Sequence, residues 1–273
     1  MTKAVLAVCL FLLAGVAPAF AQAGRVVERP DLEHFFAEAG TQGTMVVHDH
    51  AKDVWFVVGA RRAEAGTLPA STFKIFNALA ALSLGVVKDV DSERFASHTV
   101  PINGVPSLPA ECDGLVTLRV AFRYSCVPAY QEVARRVGVA AFQRLVDQTG
   151  YGNGEVASVP VDRFWLEGAF RISALGQVRF LDRLYAGDLP FTPAAMAGVR
   201  DIMRLESVED AVIRAKTGYA TASRPAVGWW VGWVERGGQT SVFALNLDVT
   251  DPAHLKARQS IAKAILGQLG LLP

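Results

Sequence analysis

The chain has 273 residues, 51% of them hydrophobic and 19% charged, and a formal net charge of +1. That length can bury one large core or two small ones. A charge so near zero gives no electrostatic drive toward nucleic acid or an anionic membrane, so neither is expected as a partner.

The first residues read as a secretory signal. Lys3 supplies the positive start, Ala4 to Val16 the apolar run and Ala19-Phe20-Ala21 the small-residue cleavage site. The signal is set at residues 1–21, with Ala21-Gln22-Ala23 as a competing frame, and the mature domain at 22–273. The apolar run is short for a membrane span, so a periplasmic protein free of the membrane is expected. Only Cys112 and Cys126 remain after cleavage. An oxidising compartment permits a bridge between them, but the reading favours two free, partly buried thiols.

Asp31 to Ala39 has the spacing of a short amphipathic helix, and Gly43 to His48 with Asp53 to Ala60 that of a β-hairpin. His48 and His50 alternate on one strand face. A metal reading wants more: in an H-x-H-x-D-H pattern Asp and His would stand where Lys52 and Asp53 are. They are taken as surface histidines in a turn, with no metal.

Ser71 to Val87 reads as a helix that starts at a serine and is apolar nearly all round, hence buried. Its first turn sets Ser71 and Lys74 on one face. A lysine buried there has a lowered pKa, and a serine beside a neutral or modified amine has the parts of an activated nucleophile. Asp89 to Gly114, with Pro101, Pro106 and Pro109, reads as an irregular stretch that wraps the domain or shapes a cleft. Helices are predicted over Leu115–Tyr124, Tyr130–Val137, Ala140–Thr149, Ser173–Ala186 and Pro193–Leu205. Three β-rich runs follow, Ala211–Thr217, Val227–Glu235 and Thr240–Asp248, then a helix from Pro252 to Leu269. The short connections imply an antiparallel meander. Strands at both ends around a mostly helical middle predict an α+β fold, with N- and C-terminal strands in one antiparallel sheet flanked by helices.

Four short signals lie in order: Ser71-Thr72-Phe73-Lys74, Ser125-Cys126-Val127, Tyr151-Gly152-Asn153 and Lys216-Thr217-Gly218. Each alone is weak, and the last could be a strand-end turn; S-x-x-K with a later K-T-G on a strand marks serine β-lactamases and penicillin-binding proteins. With PASTFK (69–74), FWLEG (164–168), AKTGY (215–219) and GWWVGWVE (228–235) the chain resembles class D, oxacillin-hydrolysing, β-lactamases over nearly all its mature length. Val127, where class A enzymes and most penicillin-binding proteins carry Asn, points to class D and disfavours a DD-peptidase.

The resemblance implies β-lactam hydrolysis through an acyl-serine on Ser71, and so resistance to these antibiotics. Lys74, carboxylated by CO2 to N6-carboxylysine, would be the general base for acylation and deacylation, with no other cofactor. Trp165 would hold the carbamate through its indole N–H, and Val127 would keep the pocket dry. Ser125 and Lys216 would relay the proton to the leaving nitrogen, and the backbone N–H groups of Ser71 and Tyr219 would form the oxyanion hole. Thr217, Gly218 and Arg258 would bind the substrate. Arg258 falls among Leu255, Ala262, Ile265 and Leu269 on an apolar helix face, so it points inward; a structural ion pair is its plainer reading. Trp229, Trp230 and Trp233 are read as strand packing, and Tyr151 and Asn153 as shaping a turn. The expected partner is a small β-lactam, and the assembly a monomer or homodimer. The alternative is a sensor domain or penicillin-binding protein that acylates without turnover.

Overall fold

The computed structural model describes residues 24–99, 101–102, 105–106 and 108–273, so the leader expected over 1–21 lies outside it. The described chain opens with β1 (Arg25–Glu28), a 3-10 turn at Pro30–Glu33 and α1 (His34–Glu38). The helix predicted there is thus two short pieces that bury Leu32 and Phe36. β2 (Gly43–Asp49) and β3 (Val54–Val58) form the predicted hairpin, and α2 (Ala60–Glu64) follows.

The next element begins as a 3-10 turn, Ala70–Phe73, and runs directly into α3 (Lys74–Ser83). Every residue from Lys74 to Ala81 is buried, as a helix without a polar face must be. The helix stops earlier than predicted, because Gly85 takes a left-handed φ of 67° that ordinary residues resist.

Short strands occupy the proline-rich stretch: β4 (Arg94–Ser97), β5 (Pro101–Ile102), β6 (Val105–Pro106) and β7 (Gly114–Thr117), which pairs with β4. Leu115 to Thr117 were predicted helical. Apolar spacing over so short a run does not tell strand from helix, and β4 supplies a ladder partner. The Thr117 hydroxyl then accepts from the Val120 N–H and caps α4 (Leu118–Arg123). α5 (Val127–Val137), α6 (Val139–Thr149), α7 (Ala174–Ala186) and α8 (Pro193–Ile202) complete the helical middle. Ser173 and Thr192 cap the last two. β8 (Arg204–Val208), whose first two residues were predicted as the end of a helix, is a polar edge strand, followed by β9 (Ala211–Ala220), β10 (Ala226–Arg236), β11 (Gln239–Val249) and α9 (His254–Gln268).

The main sheet runs β1-β3-β2-β11-β10-β9-β8 and is antiparallel apart from β1 beside β3. N- and C-terminal strands therefore meet at β2 and β11, as predicted. One face packs on α1 and α9 through residues such as Phe36, Phe243 and Ile265. The other carries the larger core, a cluster that includes Phe73, Phe76 and Tyr151 together with Trp229 and Trp233 of β10. Trp229, Trp230 and Trp233 are all fully buried, the packing role expected of them.

Cys112 and Cys126 are joined in a disulfide, which corrects the reading of two free thiols. The turn at Ala110–Cys112, β7 and α4 fold back on the start of α5 and bring the two Cα atoms to 5.2 Å. That lies within bridging distance, which the spacing of two cysteines alone does not reveal.

Candidate active site

The candidate nucleophile sits in a turn under strain. Ala70 has a left-handed φ of 47°, and its N–H donates to the carbonyl oxygen of Trp165 at 2.9 Å. A non-glycine residue in that region persists only where its surroundings hold it. Here Thr72 Oγ1 donates to the Pro69 carbonyl at 2.8 Å and accepts from Gln177 Nε2 at 2.8 Å. The Trp229 indole N–H donates to the Leu68 carbonyl at 2.9 Å. Ser71 follows Ala70 at the start of the helical run, where backbone N–H groups lack intrahelical acceptors and the dipole favours negative charge.

Lys74 Nζ is hydrogen-bonded to Ser71 Oγ at 2.8 Å. The side chain is wholly buried, with the amine 5.4 Å from the Tyr130 ring centroid. Burial alone lowers its pKa to about 7, because a charged amine there has lost its water without gaining an anion.

Ser125, between α4 and α5, has a left-handed φ of 62°. Its hydroxyl accepts from Lys216 Nζ at 3.0 Å, and the same amine donates to the Thr217 carbonyl at 3.0 Å. Burial pushes the Lys216 pKa down, and the charges of Lys74 and Arg258 push it further. Lys216, Thr217, Gly218 and Tyr219 lie along β9, which crosses close to the nucleophile turn. A Cβ on Gly218 would stand 3.0 Å from the Pro69 carbonyl oxygen and 3.1 Å from Thr72 Cγ2, so glycine is what lets the strand approach.

Arg258, on α9, donates from Nη1 to the Gly218 carbonyl at 2.9 Å, while its Nε is buried without a partner among the described residues. Burial lowers its pKa to about 10. Among the described residues no carboxylate forms an ion pair with it, so the structural ion pair weighed from sequence does not form. An inward guanidinium lacking an anion is a site for one.

These groups border a cleft of about 730 Å³ lined by Ser71, Ser125, Val127, Thr217, Gly218, Tyr219 and Arg258, with Leu108, Pro109, Leu166 and Leu255 supplying apolar wall. The proline-rich stretch thus does shape a cleft. Lys74 lies beneath Ser71, out of solvent. Trp165 is also wholly buried, stacked on Phe73 at 5.4 Å between ring centroids, and its indole N–H has no acceptor among the described residues. A buried donor without a partner costs about 1–3 kcal/mol, which an anionic group on the neighbouring helix start would relieve. Every candidate residue named from sequence is therefore at or against one cleft. Glu167 lines it too, but is exposed and pairs with Arg163.

Of the supports around the site, the sequence pointed to Tyr151 and Asn153 and missed Gln177. Tyr151 Oη donates to Gln177 Oε1 at 3.3 Å, and Gln177 bonds Thr72. Asn153 Nδ2 donates to the Ala169 carbonyl at 3.0 Å and its Oδ1 accepts from the Arg171 N–H at 2.9 Å. Asn153 shapes the turn as expected, whereas the Tyr151 side chain is buried and supports Gln177. Gln177 carries no local signal; only the fold brings α7 against the 3-10 turn.

Comparison with known proteins agrees with this geometry. Residues 43–267 match the family described as the penicillin binding protein transpeptidase domain. β-Lactamase OXA-48 of Klebsiella pneumoniae is 39% identical over 97% of this chain and 97% of its own. β-Lactamase OXA-5 of Pseudomonas aeruginosa is 36% identical over 87% of each. Among solved structures, FUS-1 (OXA-85), a class D β-lactamase from Fusobacterium nucleatum subsp. polymorphum, superposes with a TM-score of 0.84 at 34% identity, covering 90% of this chain and 100% of that one. Similarity of that extent, in sequence and in fold, decides the matter: the chain belongs to the class D β-lactamase family.

Proposed function

We propose that this protein hydrolyses β-lactams through an acyl-ester on Ser71. The observation that carries the reading is the pairing of two serines with two lysines on one cleft, each with a pKa lowered by burial. Ser71 Oγ attacks the lactam carbonyl carbon and the C–N bond breaks. The Ser71 proton leaves toward the Lys74 side, and the nitrogen takes a proton through Ser125 and Lys216. Water then cleaves the ester, which frees the opened acid and restores the Ser71 hydroxyl. The Ser71 and Tyr219 backbone N–H groups face the developing oxyanion, and Thr217, Gly218 and Arg258 take the substrate carboxylate.

Lys74 in this proposal carries CO2 as N6-carboxylysine. Its near-neutral pKa leaves a nucleophilic amine at neutral pH, Trp165 offers an unpaired indole donor and Val127 brings no competing polar group. When present, the carboxylate supplies an oxygen base for both half-reactions. A periplasmic location after removal of residues 1–21 fits this role; no helix among the described residues is long and apolar enough to cross a membrane.

The experiment is a time course of chromogenic cephalosporin hydrolysis by the purified protein, with and without bicarbonate. Many turnovers, sustained or raised by bicarbonate, are expected. A single stoichiometric burst and a stable acyl adduct would make the protein a sensor or penicillin-binding protein instead.

A further inference from the structure

At the far end of β2 from the cleft, two histidines and an aspartate form a second cluster. His48 and His50 project from the sheet toward α7, where Asp182 faces both. His48 Nδ1 lies 3.0 Å from one carboxylate oxygen of Asp182 and His50 Nε2 lies 2.8 Å from the other. The three side chains are part-buried, between 15% and 28% exposed. They are not the surface histidines that the sequence suggested.

The rings are held by more than the aspartate. His48 stacks on Trp55 at 4.4 Å between centroids and 14° between planes, and His50 packs edge-on to Tyr185 at 5.5 Å. The outer nitrogen of His48, Nε2, lies 3.3 Å from Asp53 Oδ1. Asp53 itself holds a left-handed φ of 49° in the hairpin turn. A histidine whose one nitrogen donates to a carboxylate has its other nitrogen available as a lone pair, and this is the arrangement that orients metal-ligating imidazoles.

We propose that His48 Nδ1, His50 Nε2 and the Asp182 carboxylate form a binding site for a borderline divalent cation of the zinc class. One ligand atom from each residue already lies within 4.8 Å of the others. Tetrahedral ligation with bonds of about 2.0–2.1 Å separates ligand atoms by about 3.3 Å, so a small rotation of the rings closes the set. Two imidazoles and one carboxylate suit zinc and not magnesium or calcium, which prefer all-oxygen shells. Residual exposure leaves a fourth position for water. The ion would pin the β2–β3 hairpin to α7, the helix that also carries Gln177 to the nucleophile turn. None of its ligands lines the cleft, so the site is structural and stands whether or not Ser71 turns over.

The test uses untagged, chelator-treated protein titrated with zinc chloride by calorimetry, with cobalt(II) absorption as a second readout. One equivalent is expected to bind with a tetrahedral cobalt spectrum. His50→Ala and Asp182→Asn, checked for folding by circular dichroism, should each lose that equivalent, and Asp53→Asn should weaken it about tenfold. His98→Ala, at an exposed histidine elsewhere, should leave it intact. Absence of a stoichiometric zinc event in the wild type, or one that survives both His50→Ala and Asp182→Asn, overturns the proposal.

Discussion

Lys74 Nζ lies 2.8 Å from Ser71 Oγ, and burial is the sole influence shifting its pKa. No counter-charge among the described residues holds the amine protonated, so near neutrality it divides between charged and neutral forms. Lys74→Ala should reduce β-lactam turnover by about 10²–10⁴-fold, the usual worth of a positioned acid or base. Steady-state hydrolysis measures this, and full sustained turnover by the variant would remove Lys74 from the mechanism.

The same lysine predicts a pH dependence of stability. Free of CO2, its pKa is about 7 when folded, against 10.5 for the free side chain. Between those values the unfolded chain holds a proton that the folded chain has released, so stability from this group rises with pH across that window. Below about 7 both states are protonated and the burial penalty is complete. Lys74→Met should therefore be more stable than wild type in acid, with the advantage shrinking as pH rises. Urea midpoints at about pH 6 and about pH 9 test this; a pH-independent difference would contradict it.

Trp165 presents a buried indole N–H that no atom of the described residues accepts. Trp165→Ala should release the group proposed on Lys74, and its hydrolysis should become strongly dependent on added bicarbonate. The check is activity against bicarbonate concentration for both proteins. Indifference of the variant to bicarbonate would count against the assignment.

Arg258 reaches the cleft beside Gly218 with its Nε unpaired among the described residues. Losing a charge-assisted hydrogen bond of about 1.5–3 kcal/mol predicts a fall of about 10–100-fold in kcat/KM for Arg258→Ala. Much of the fall should appear in KM, because the substrate carboxylate is bound in ground state and transition state alike. Unchanged kcat/KM would place the carboxylate elsewhere.

The Cys112–Cys126 bridge closes a loop of sequence separation 14 beside Ser125. Cross-links of that span contribute about 3 kcal/mol. Reductant should lower the melting temperature of the wild type and leave a Cys112→Ser/Cys126→Ser double variant unmoved. Equal response of the two proteins would mean that the bond does not form in solution.

Much of the molecule was legible in the chain itself. Apolar spacing located α3, α5, α6 and α7 and the β9–β11 meander, because helical and strand periods record which face is buried. Four motifs named the cleft residues, since the chemistry needs those side chains at those spacings. Other features depended on partners distant in sequence. β8 is polar, and Leu115 to Thr117 sat inside an apolar run; each became a strand because a neighbouring strand offered hydrogen bonds. The disulfide required the fold to bring two Cα atoms to 5.2 Å. Gln177 reaches Thr72 across 105 residues, and Asp182 reaches His48 across 134. Local sequence determined what each segment prefers and which side chains can do chemistry. Only tertiary packing decided which lysine lost its water, which arginine was left without an anion and which histidines met a carboxylate. Desolvation and pairing depend on neighbours in space, and the order of residues along the chain does not specify those neighbours locally.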